Sequence, residues 1–258
     1  MPNTKDIDLL GSPLKLLLVS TNGFGKSIAA ASFYKAGPIH FDEADIRMKP
    51  VKAFFPDADI SYDSWTSQNF NGFVEKIHNI IDGKFVPKFK TWVFDSVTSF
   101  SITSITYQLK VKDKIKTTKG GLPATSWDEI NGETVLFHEI MEAAQTLYTK
   151  YNINIIFTAH PIAKTEIVAG EDAKRVMSLV AYGNKIPSII PGFFDEIYNI
   201  QVVKTGLNQW QRRVYTVPME GMPGKTALYQ YLPEFIDITN KSFYEELQKF
   251  LQLNKEVK

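Results

Sequence analysis

The chain has 258 residues, 44% of them hydrophobic and 13% aromatic, which suffices for one substantial α/β domain with an appendage rather than for two full domains. Its 29 basic and 28 acidic residues nearly cancel, so no global field attracts nucleic acid and any DNA or RNA contact must use a local basic patch. The absence of cysteine excludes disulfides, thiolate catalysis and cysteine-based zinc sites.

The sequence also lacks the patterns that mark export or membrane insertion. The N-terminal segment 1–6 is polar and contains no apolar signal core. No apolar run approaches the roughly 20 residues that a membrane-spanning helix needs. We therefore expect a soluble, cytoplasmic protein with no membrane contact.

The first predicted element is a buried strand that leads into a glycine-rich loop and then a helix. The apolar run 14–19 precedes the loop, and the alanine-rich segment 28–36 follows it. The loop reads Ser20-Thr21-Asn22-Gly23-Phe24-Gly25-Lys26-Ser27, a spacing typical of loops that bind a nucleoside triphosphate through backbone N–H groups at a helix start. In this pattern Lys26 reaches the β- and γ-phosphates, Ser27 supplies a hydroxyl to Mg²⁺, and the glycines let the backbone fold closely around the anion.

Two further features bear on the specificity of this motif. Ser20 stands six residues before the lysine, where glycine is usual, and a small side chain can be accommodated there. Gly224-Lys225-Thr226 also matches the end of the motif, but it leads into residues 228–233, which alternate like a strand. Only the first copy therefore has the flanking strand and helix that a phosphate loop requires.

The remaining patterns alternate between strands and helices. The first third of the remaining chain predicts a strand at 39–41 that ends in the acidic cluster 42–45, an irregular segment at 50–65, a helix at 70–81 and a strand at 90–96. The middle predicts a helix at 97–111, a lysine-rich loop at 110–121, a helix at 127–150 with Ser126 as N-cap and a strand at 154–161. The last part predicts a hairpin or a long loop that orders on binding at 162–184, a short connection or helix at 187–194, strands at 195–203, 213–217 and 227–232, and an amphipathic helix at 242–253.

Helices followed repeatedly by strands predict a parallel sheet with right-handed crossovers. We expect a single α/β domain over residues 1–258, with a mainly parallel central sheet flanked by helices in the core at about 12–203. Antiparallel strands and a terminal helix then form a C-terminal extension at about 204–253.

Carboxylates at strand ends are the predicted partners of the loop. Asp95 ends an apolar strand, at the edge where α/β sheets place their ligands. We predict that this strand lies next to the first one and that Asp95 binds Mg²⁺. The alternative is that Asp95 caps the helix that follows it. Ser96 follows it where one large class of ring ATPases has a water-activating glutamate. Glu43 is then the predicted general base, with Asp42 or Asp45 as alternatives.

Other side chains extend this prediction. His160 closes the strand at 154–161 and can contact the γ-phosphate, unless its ring is satisfied by the backbone. Arg212, Arg213 and Lys225 lie on late strands, where such a residue could reach a neighbouring subunit's γ-phosphate or be a surface charge. Lys225 and Arg213 are the candidates chosen as fingers. The basic regions 110–121 and 164–175 could hold single-stranded nucleic acid, although such runs are usually solvated faces.

The loop at 20–27, the strand at 92–95, the strand end at 158–160 and the segment 224–233 together resemble the phage-encoded RecA-like P-loop ATPases. This AAA-type nucleotide-binding group is related to single-strand annealing proteins of phage recombination, and the resemblance covers most of residues 12–252. It implies a RecA-like core, ATP and Mg²⁺ as ligands, a homo-oligomeric ring or filament, and action on single-stranded DNA. It assigns Lys26 and Ser27 to the phosphate loop, Asp95 to the metal, His160 to the γ-phosphate, Glu43 to catalysis and Lys225 to a subunit boundary.

The sequence thus predicts a Mg²⁺-dependent ATPase that acts on single-stranded DNA in phage recombination, repair or replication. One alternative is a nucleotide-gated binding or assembly module with little or no hydrolysis. A nucleotide kinase is disfavoured because no arginine-rich lid follows the central sheet.

Overall fold

The structure, a computed structural model, describes residues 12–45, 48–112, 125–166, 174–219, 222 and 224–253. Its strands are β1 (Lys15–Val19), β2 (Ile39–Glu43), β3 (Ile60–Ser64), β4 (Thr91–Asp95), β5 (Asn154–Ala159), β6 (Pro161–Glu166), β7 (Lys174–Leu179), β8 (Glu196–Gly206), β9 (Gln209–Tyr215) and β10 (Phe235–Asp237). Its α-helices are α1 (Lys26–Ala31), α2 (Met48–Phe54), α3 (Phe70–Ile81), α4 (Val97–Val111), α5 (Trp127–Tyr151), α6 (Lys185–Phe193) and α7 (Phe243–Leu253), and a 3₁₀ helix, Ser32–Ala36, continues α1.

Eight strands form one sheet in the order β10-β9-β8-β1-β5-β4-β2-β3. The six strands from β8 to β3 are parallel, whereas β9 and β10 pair antiparallel at one edge. The strands β6 and β7 form a separate antiparallel hairpin. The prediction of an α/β fold with a mainly parallel sheet, antiparallel C-terminal strands and a terminal helix is confirmed.

The sheet buries both of its faces, which explains why its central strands read as continuous apolar runs. In β1, Leu17 and Val19 join the core formed with α3, α4 and α5. Leu16 and Leu18 point to the opposite face and pack in the core that includes α1 and α7. Because β1 is an inner strand of the sheet, the loop that follows it begins among the C-terminal ends of the parallel strands.

The long helix α5 begins as the sequence predicted. Ser126 is its N-cap, and the backbone N–H of Ser126 donates a 2.8 Å hydrogen bond to Glu129 Oε2, which completes a capping box. Both ends of the capping box satisfy N–H groups that the first helical turn leaves without partners.

Two predicted segments differ from the structure. Residues 50–65 are not irregular, since they contain most of α2 and all of the edge strand β3. Pro50 lies in the first turn of α2, where proline costs no hydrogen bond. Residues 227–232 are not a strand, because the Leu232 N–H donates back to the Leu228 carbonyl in a turn, and β10 follows instead.

The predicted basic regions are only partly described. Residues 113–121 of the lysine-rich loop and residues 167–173 of the second basic region lie outside the described residues. The prediction of a hairpin between 162 and 184 is confirmed by β6 and β7. None of the helices in the described ranges combines the length and the apolar character that a membrane-spanning segment requires.

Glu133 on α5 is a buried carboxyl group away from the end of β1. Ser101 on α4 donates a hydrogen bond to its Oε1. Burial raises the pKa of Glu133 to about 7, although hydrogen bonds from Ser101 and from the backbone of Tyr182 and Gly183 act to lower it. The folded chain therefore keeps a proton on Glu133 at pH values where the unfolded chain has lost it.

We expect Glu133→Gln to become more stable, relative to the wild type, as the pH rises. Between the ordinary pKa of 4.5 and the folded-state pKa of about 7, the unfolded state binds fewer protons, so the wild-type free energy of unfolding falls. The fall should reach about 3 kcal/mol at about pH 8, and the uncharged glutamine should not show it. Urea unfolding of both proteins at about pH 5 and about pH 8 measures the difference; a difference independent of pH would contradict this reading.

Candidate functional site

The loop between β1 and α1 is shaped by two glycines. Gly23 and Gly25 have φ angles of +80° and +97°, in the left-handed region that favours glycine. A Cβ atom on Gly23 would meet no atom within 4 Å, so the backbone there faces open space. Ser20, at the position where glycine is usual, is buried and its hydroxyl donates to the Thr21 carbonyl at 3.0 Å. The serine is therefore accommodated inside the turn.

Lys26 lies inside this loop, and its side chain is buried. Its ammonium Nζ donates to the carbonyls of Ser20 at 2.8 Å and Thr21 at 3.3 Å. It also lies 3.1 Å from His160 Nδ1. Because an ammonium can only donate, Nδ1 accepts and the ring proton lies on Nε2, which leaves His160 able to donate a hydrogen bond.

Ser27 at the start of α1 and Asp95 at the end of β4 are in direct contact, although β4 is not next to β1 in the sheet. The Ser27 hydroxyl donates to Asp95 Oδ2 at 2.5 Å. The expectation that the strand of Asp95 lies next to β1 is wrong, because β5 stands between β1 and β4. Thr158 on this intervening strand donates to Asp95 Oδ1, so the carboxylate is fixed from both sides.

Burial raises the pKa of Asp95, and the charge of Asp45 acts in the same direction. The hydrogen bonds from Ser27 and Thr158 and the charge of Lys26 oppose this rise. Burying the ionised carboxylate of Asp95 therefore costs free energy. A carboxylate buried in this way beside a hydroxyl and a lysine is typical of a functional site, whereas a carboxylate in a stabilising ion pair has a lowered pKa.

The acidic cluster at the end of β2 divides between the two faces of the sheet. Asp42 is fully buried on the α3 side, where the indole N–H groups of Trp65 and Trp92 donate to it at 2.7 Å and 2.6 Å. Lys76 donates to both of its carboxylate oxygens, at 2.7 Å and 2.9 Å. These four contacts give Asp42 a structural role, so the prediction that it could serve as a base is corrected.

The surroundings of Asp42 resemble a metal site by composition but are a salt-bridge network. The ligand atoms of His40, Asp42 and Asp63 lie within 4.8 Å of one another. The Lys76 ammonium contacts all three, including His40 Nε2 at 2.6 Å and Asp63 at 2.9 Å. Burial raises the pKa of Asp42, but the His40 hydrogen bond and the Lys76 charge outweigh it and hold the pKa at about 2.

Glu43 lies on the face of the sheet that carries α1, and Asp45 lies just beyond the end of β2. Glu43 pairs in register with Asp95 on β4 and with Ser64 on β3, whose hydroxyl donates to Glu43 Oε1. Asp45 accepts a hydrogen bond from Ser99 on α4. Of the two carboxylates, Asp45 lines the cavity above the loop and Glu43 does not.

This cavity has a volume of about 270 Å³ and brings most of the predicted side chains together. One cation, two carboxylates, a hydroxyl and an imidazole contribute to its wall. Its lining residues are Asn22, Gly23, Gly25, Lys26, Ser27, Ile28, Asp45, Pro50, Asp95 and His160. Thr21 is exposed beside the cavity, and Phe24 packs against the core on the α1 side.

The two predicted fingers lie elsewhere in the described chain. The Arg213 guanidinium stacks over Phe235 at 4.2 Å and donates to Gln211. Lys225 Nζ donates to the Phe194 carbonyl at 2.7 Å, and a turn at 227–231 rather than a helix directly follows Gly224-Lys225-Thr226. Neither side chain lines the cavity, and a role at a subunit boundary stays a prediction.

Sequence reasoning missed one contributor near the loop, Pro50 on α2, and considered a second, Arg212, only as a contact to a neighbouring subunit's γ-phosphate or as a surface charge. Helix α2 brings Pro50 to the cavity, and Arg212 on β9 approaches Gly25. The alternation of β9 offered one signal, because consecutive residues of a strand face opposite sides and Arg212 therefore cannot share the surroundings of Arg213.

The donor set fits a phosphate group together with a divalent cation. The left-handed glycines open the loop backbone, and Lys26 supplies a positive charge. Mg²⁺ prefers hard oxygen ligands, and Ser27 and Asp95 present a hydroxyl and a carboxylate that already touch. A family model described as AAA domain matches residues 12–228 of the chain. No curated protein matches the chain.

Proposed function

The chain belongs to the AAA domain family, whose members carry a P-loop ATPase domain, and from this premise we propose that it is a Mg²⁺-dependent ATPase. One observation carries the proposal: Lys26, Ser27, Asp95 and His160 line the same cavity although they come from the start of α1, the end of β4 and the end of β5. A phosphate loop alone supports triphosphate binding, whereas the added carboxylate and imidazole support chemistry at the γ-phosphate.

Each side chain has a defined task in this proposal. Lys26 is held by the loop carbonyls with its charge inside the turn, where it would contact the β- and γ-phosphates. Ser27 and Asp95 would hold Mg²⁺, and Thr158 keeps the Asp95 carboxylate oriented. When bound, Mg²⁺ would neutralise the negative charge that develops on the phosphate during transfer. His160 would donate from Nε2 to a γ-phosphate oxygen.

His160 also connects the cavity to the β6–β7 hairpin. Its backbone N–H donates to Thr98 at 3.3 Å, and Pro161, the next residue, begins β6. A hydrogen bond from the His160 ring to a phosphate would be lost when the phosphate leaves. Because His160 directly precedes β6, this loss would act on the residue from which the hairpin starts. This supports His160 as the residue that relates nucleotide state to the hairpin.

The geometry favours Asp45 over Glu43 as the general base, because a base must reach the attacking water and only Asp45 of the two lines the cavity. We expect Asp45→Asn to lower the rate of ATP hydrolysis by about 100-fold or more, while Glu43→Gln lowers it less than about tenfold. Both variants should bind ATP. Steady-state phosphate release at saturating ATP measures the rates, and the reverse ranking would return the role to Glu43.

We further propose that the ATPase acts on single-stranded DNA in phage recombination, repair or replication, as a homo-oligomeric ring or filament. The support is the resemblance to phage RecA-like ATPases and the basic regions 110–121 and 164–175. The test is ATP hydrolysis with and without single-stranded DNA at low salt, together with direct DNA binding. No affinity for DNA in either nucleotide state would refute this part. Tight ATP binding without phosphate release would instead identify a nucleotide-gated module.

A further inference from the structure

A second cavity, of about 220 Å³, adjoins the cavity above the loop. Gly25 and Ile28 line both, and helix α2 contributes Pro50 to one and Phe54 to the other. Together the two volumes fall in the range of small-molecule pockets, roughly 300 to 1,000 Å³. The second cavity is therefore the continuation of the first, on the side away from Asp95 and His160.

Arg212 is the side chain that stands at the junction of the two cavities. A Cβ atom on Gly25 would lie 3.1 Å from Arg212 Nε, so the guanidinium reaches the loop only because a glycine is there. Its backbone is fixed by the Thr239 hydroxyl, which accepts from its N–H at 2.8 Å, and by the Ile238 N–H, which donates to its carbonyl at 2.9 Å. Its position is set by the sheet rather than by a mobile loop.

The guanidinium of Arg212 has an unmet hydrogen bond. Its Nε is buried and has no hydrogen-bond partner within the described part of the chain. A buried donor without a partner is uncommon and destabilising unless a ligand or water supplies the acceptor. A guanidinium suits phosphate oxygens especially well, because its donors are planar and permanently charged.

The wall of the second cavity combines aromatic surface with a polar rim. Phe54 at the end of α2 is 56% exposed, and Phe55 is held by contact with Tyr34 at 5.2 Å between ring centroids. Asn240 and Lys241 also line the cavity. Aromatic faces with a few polar groups are typical of sites that bind a planar, hydrogen-bonding ring.

We propose that the second cavity receives the nucleoside part of the nucleotide and that Arg212 donates to the phosphate oxygens nearest to it. This inference rests on the proposed function, since it assumes that the triphosphate lies in the 20–27 loop. It makes Arg212 a nucleotide-binding residue within its own subunit, in contrast to the contact across a subunit boundary that the sequence suggested for Arg212, Arg213 and Lys225. It also makes Phe54 the face on which the base packs.

The test compares ligands that share phosphates but differ in the nucleoside. Equilibrium affinities of the purified full chain for Mg·ATP, ADP and inorganic tripolyphosphate should be measured by calorimetry. We expect the wild type to bind ATP at least about tenfold more tightly than tripolyphosphate. Phe54→Ala should remove most of this difference and leave tripolyphosphate affinity unchanged. Arg212→Gln should weaken ATP and ADP by about tenfold or more, and Arg212→Lys should recover only part of the loss.

Two exposed positions outside both cavities provide matched controls. Lys204→Gln removes a cation from the neighbouring strand β8, and Tyr62→Ala removes an aromatic ring that is 55% exposed on β3. Neither should change any of the three affinities. Phe54 is exposed, so its truncation leaves the core intact, and thermal unfolding checks that the Arg212 variants are folded.

The outcomes separate this inference from the proposed function. If the wild type binds neither ATP nor tripolyphosphate, the proposed function fails and the inference falls with it. If it binds both ligands equally, or if Phe54→Ala and Arg212→Gln bind ATP like the wild type, the phosphate loop stands and the nucleoside site is refuted. A loss confined to ATP and ADP in Phe54→Ala, together with a loss in Arg212→Gln that also extends to tripolyphosphate, supports the inference.

Discussion

Lys26→Ala should bind ATP at least about tenfold more weakly and hydrolyse it at least about 100-fold more slowly than the wild type. The Lys26 ammonium is held 2.8 Å from the Ser20 carbonyl and 3.1 Å from His160 Nδ1. A charge held in this way is preorganised, so it stabilises phosphate charge without rearrangement during the reaction. Alanine removes the charge and also the atom that joins the loop to His160.

The hydrolysis rate and the ATP affinity of Lys26→Ala should be measured separately, because the two losses have different origins. Lys84→Ala is a suitable control, since Lys84 is exposed and pairs only locally with Asp82 at 2.7 Å. The control should retain both the affinity and the rate of the wild type. Wild-type turnover in Lys26→Ala would show that the 20–27 loop is not where the phosphates bind.

The parts of this site that the sequence predicted are those with local signals. An apolar run before a glycine-rich octapeptide predicts a strand and a loop, and an apolar strand that stops at Asp95 or at His160 predicts a polar group at the sheet edge. These signals need no knowledge of the neighbours in space. The strand, loop and helix around Lys26 and the strands before Asp95 and His160 were accordingly predicted close to their observed bounds.

The roles of the neighbouring acids depend on the sheet order, which no local pattern encodes. Asp42 and Glu43 are consecutive, so strand alternation alone says that they face opposite sides. The placement of β2 beside β4, with α1 on one face of the sheet and α3 on the other, decides whether Asp42 or Glu43 lies on the face that carries α1. For the same reason the contact of Thr158 with Asp95 could not be predicted before β5 was placed between β1 and β4.

Arg212 shows the same limit at longer range. It lies far from Gly25 in the sequence, and its approach to the loop requires β9 to pair with β8 beside β1. Helix α2 was missed because Pro50 suggested a break, whereas a proline in a first helical turn is well tolerated. Part of the wall of the second cavity therefore comes from two regions, α2 and β9, where local patterns were least informative.

Asp42 and Asp95 are both buried aspartates, but their surroundings act on them in opposite directions. Lys76 and His40 hold the pKa of Asp42 at about 2, so its ionised form stabilises the fold above the ordinary pKa of 3.8. Burial raises the pKa of Asp95, so its ionised form lowers the stability of the fold near neutral pH. A buried carboxylate that destabilises the fold is expected where it serves ligand binding instead.

Asp95→Asn should therefore abolish Mg²⁺-dependent hydrolysis without lowering the stability of the fold. Asparagine keeps an oxygen that can accept from Thr158, and the Ser27 hydroxyl can rotate to accept from the new amide. The negative charge for Mg²⁺ is lost, and we expect hydrolysis to fall by about 100-fold or more, together with the dependence of ATP affinity on Mg²⁺. Phosphate release and ATP titrations with and without Mg²⁺ measure these effects.

Asp42→Asn is the matched comparison, because it makes the same chemical change at another buried aspartate. It should lower the free energy of unfolding at neutral pH by about 2 kcal/mol, since it removes the charge that Lys76 and His40 stabilise. Urea unfolding of both variants at about pH 7 should show a loss of stability for Asp42→Asn and none for Asp95→Asn. A large loss of stability in Asp95→Asn with Mg²⁺-dependent ATP binding intact would contradict the assignment, because Asp95 would then hold the fold together rather than the metal.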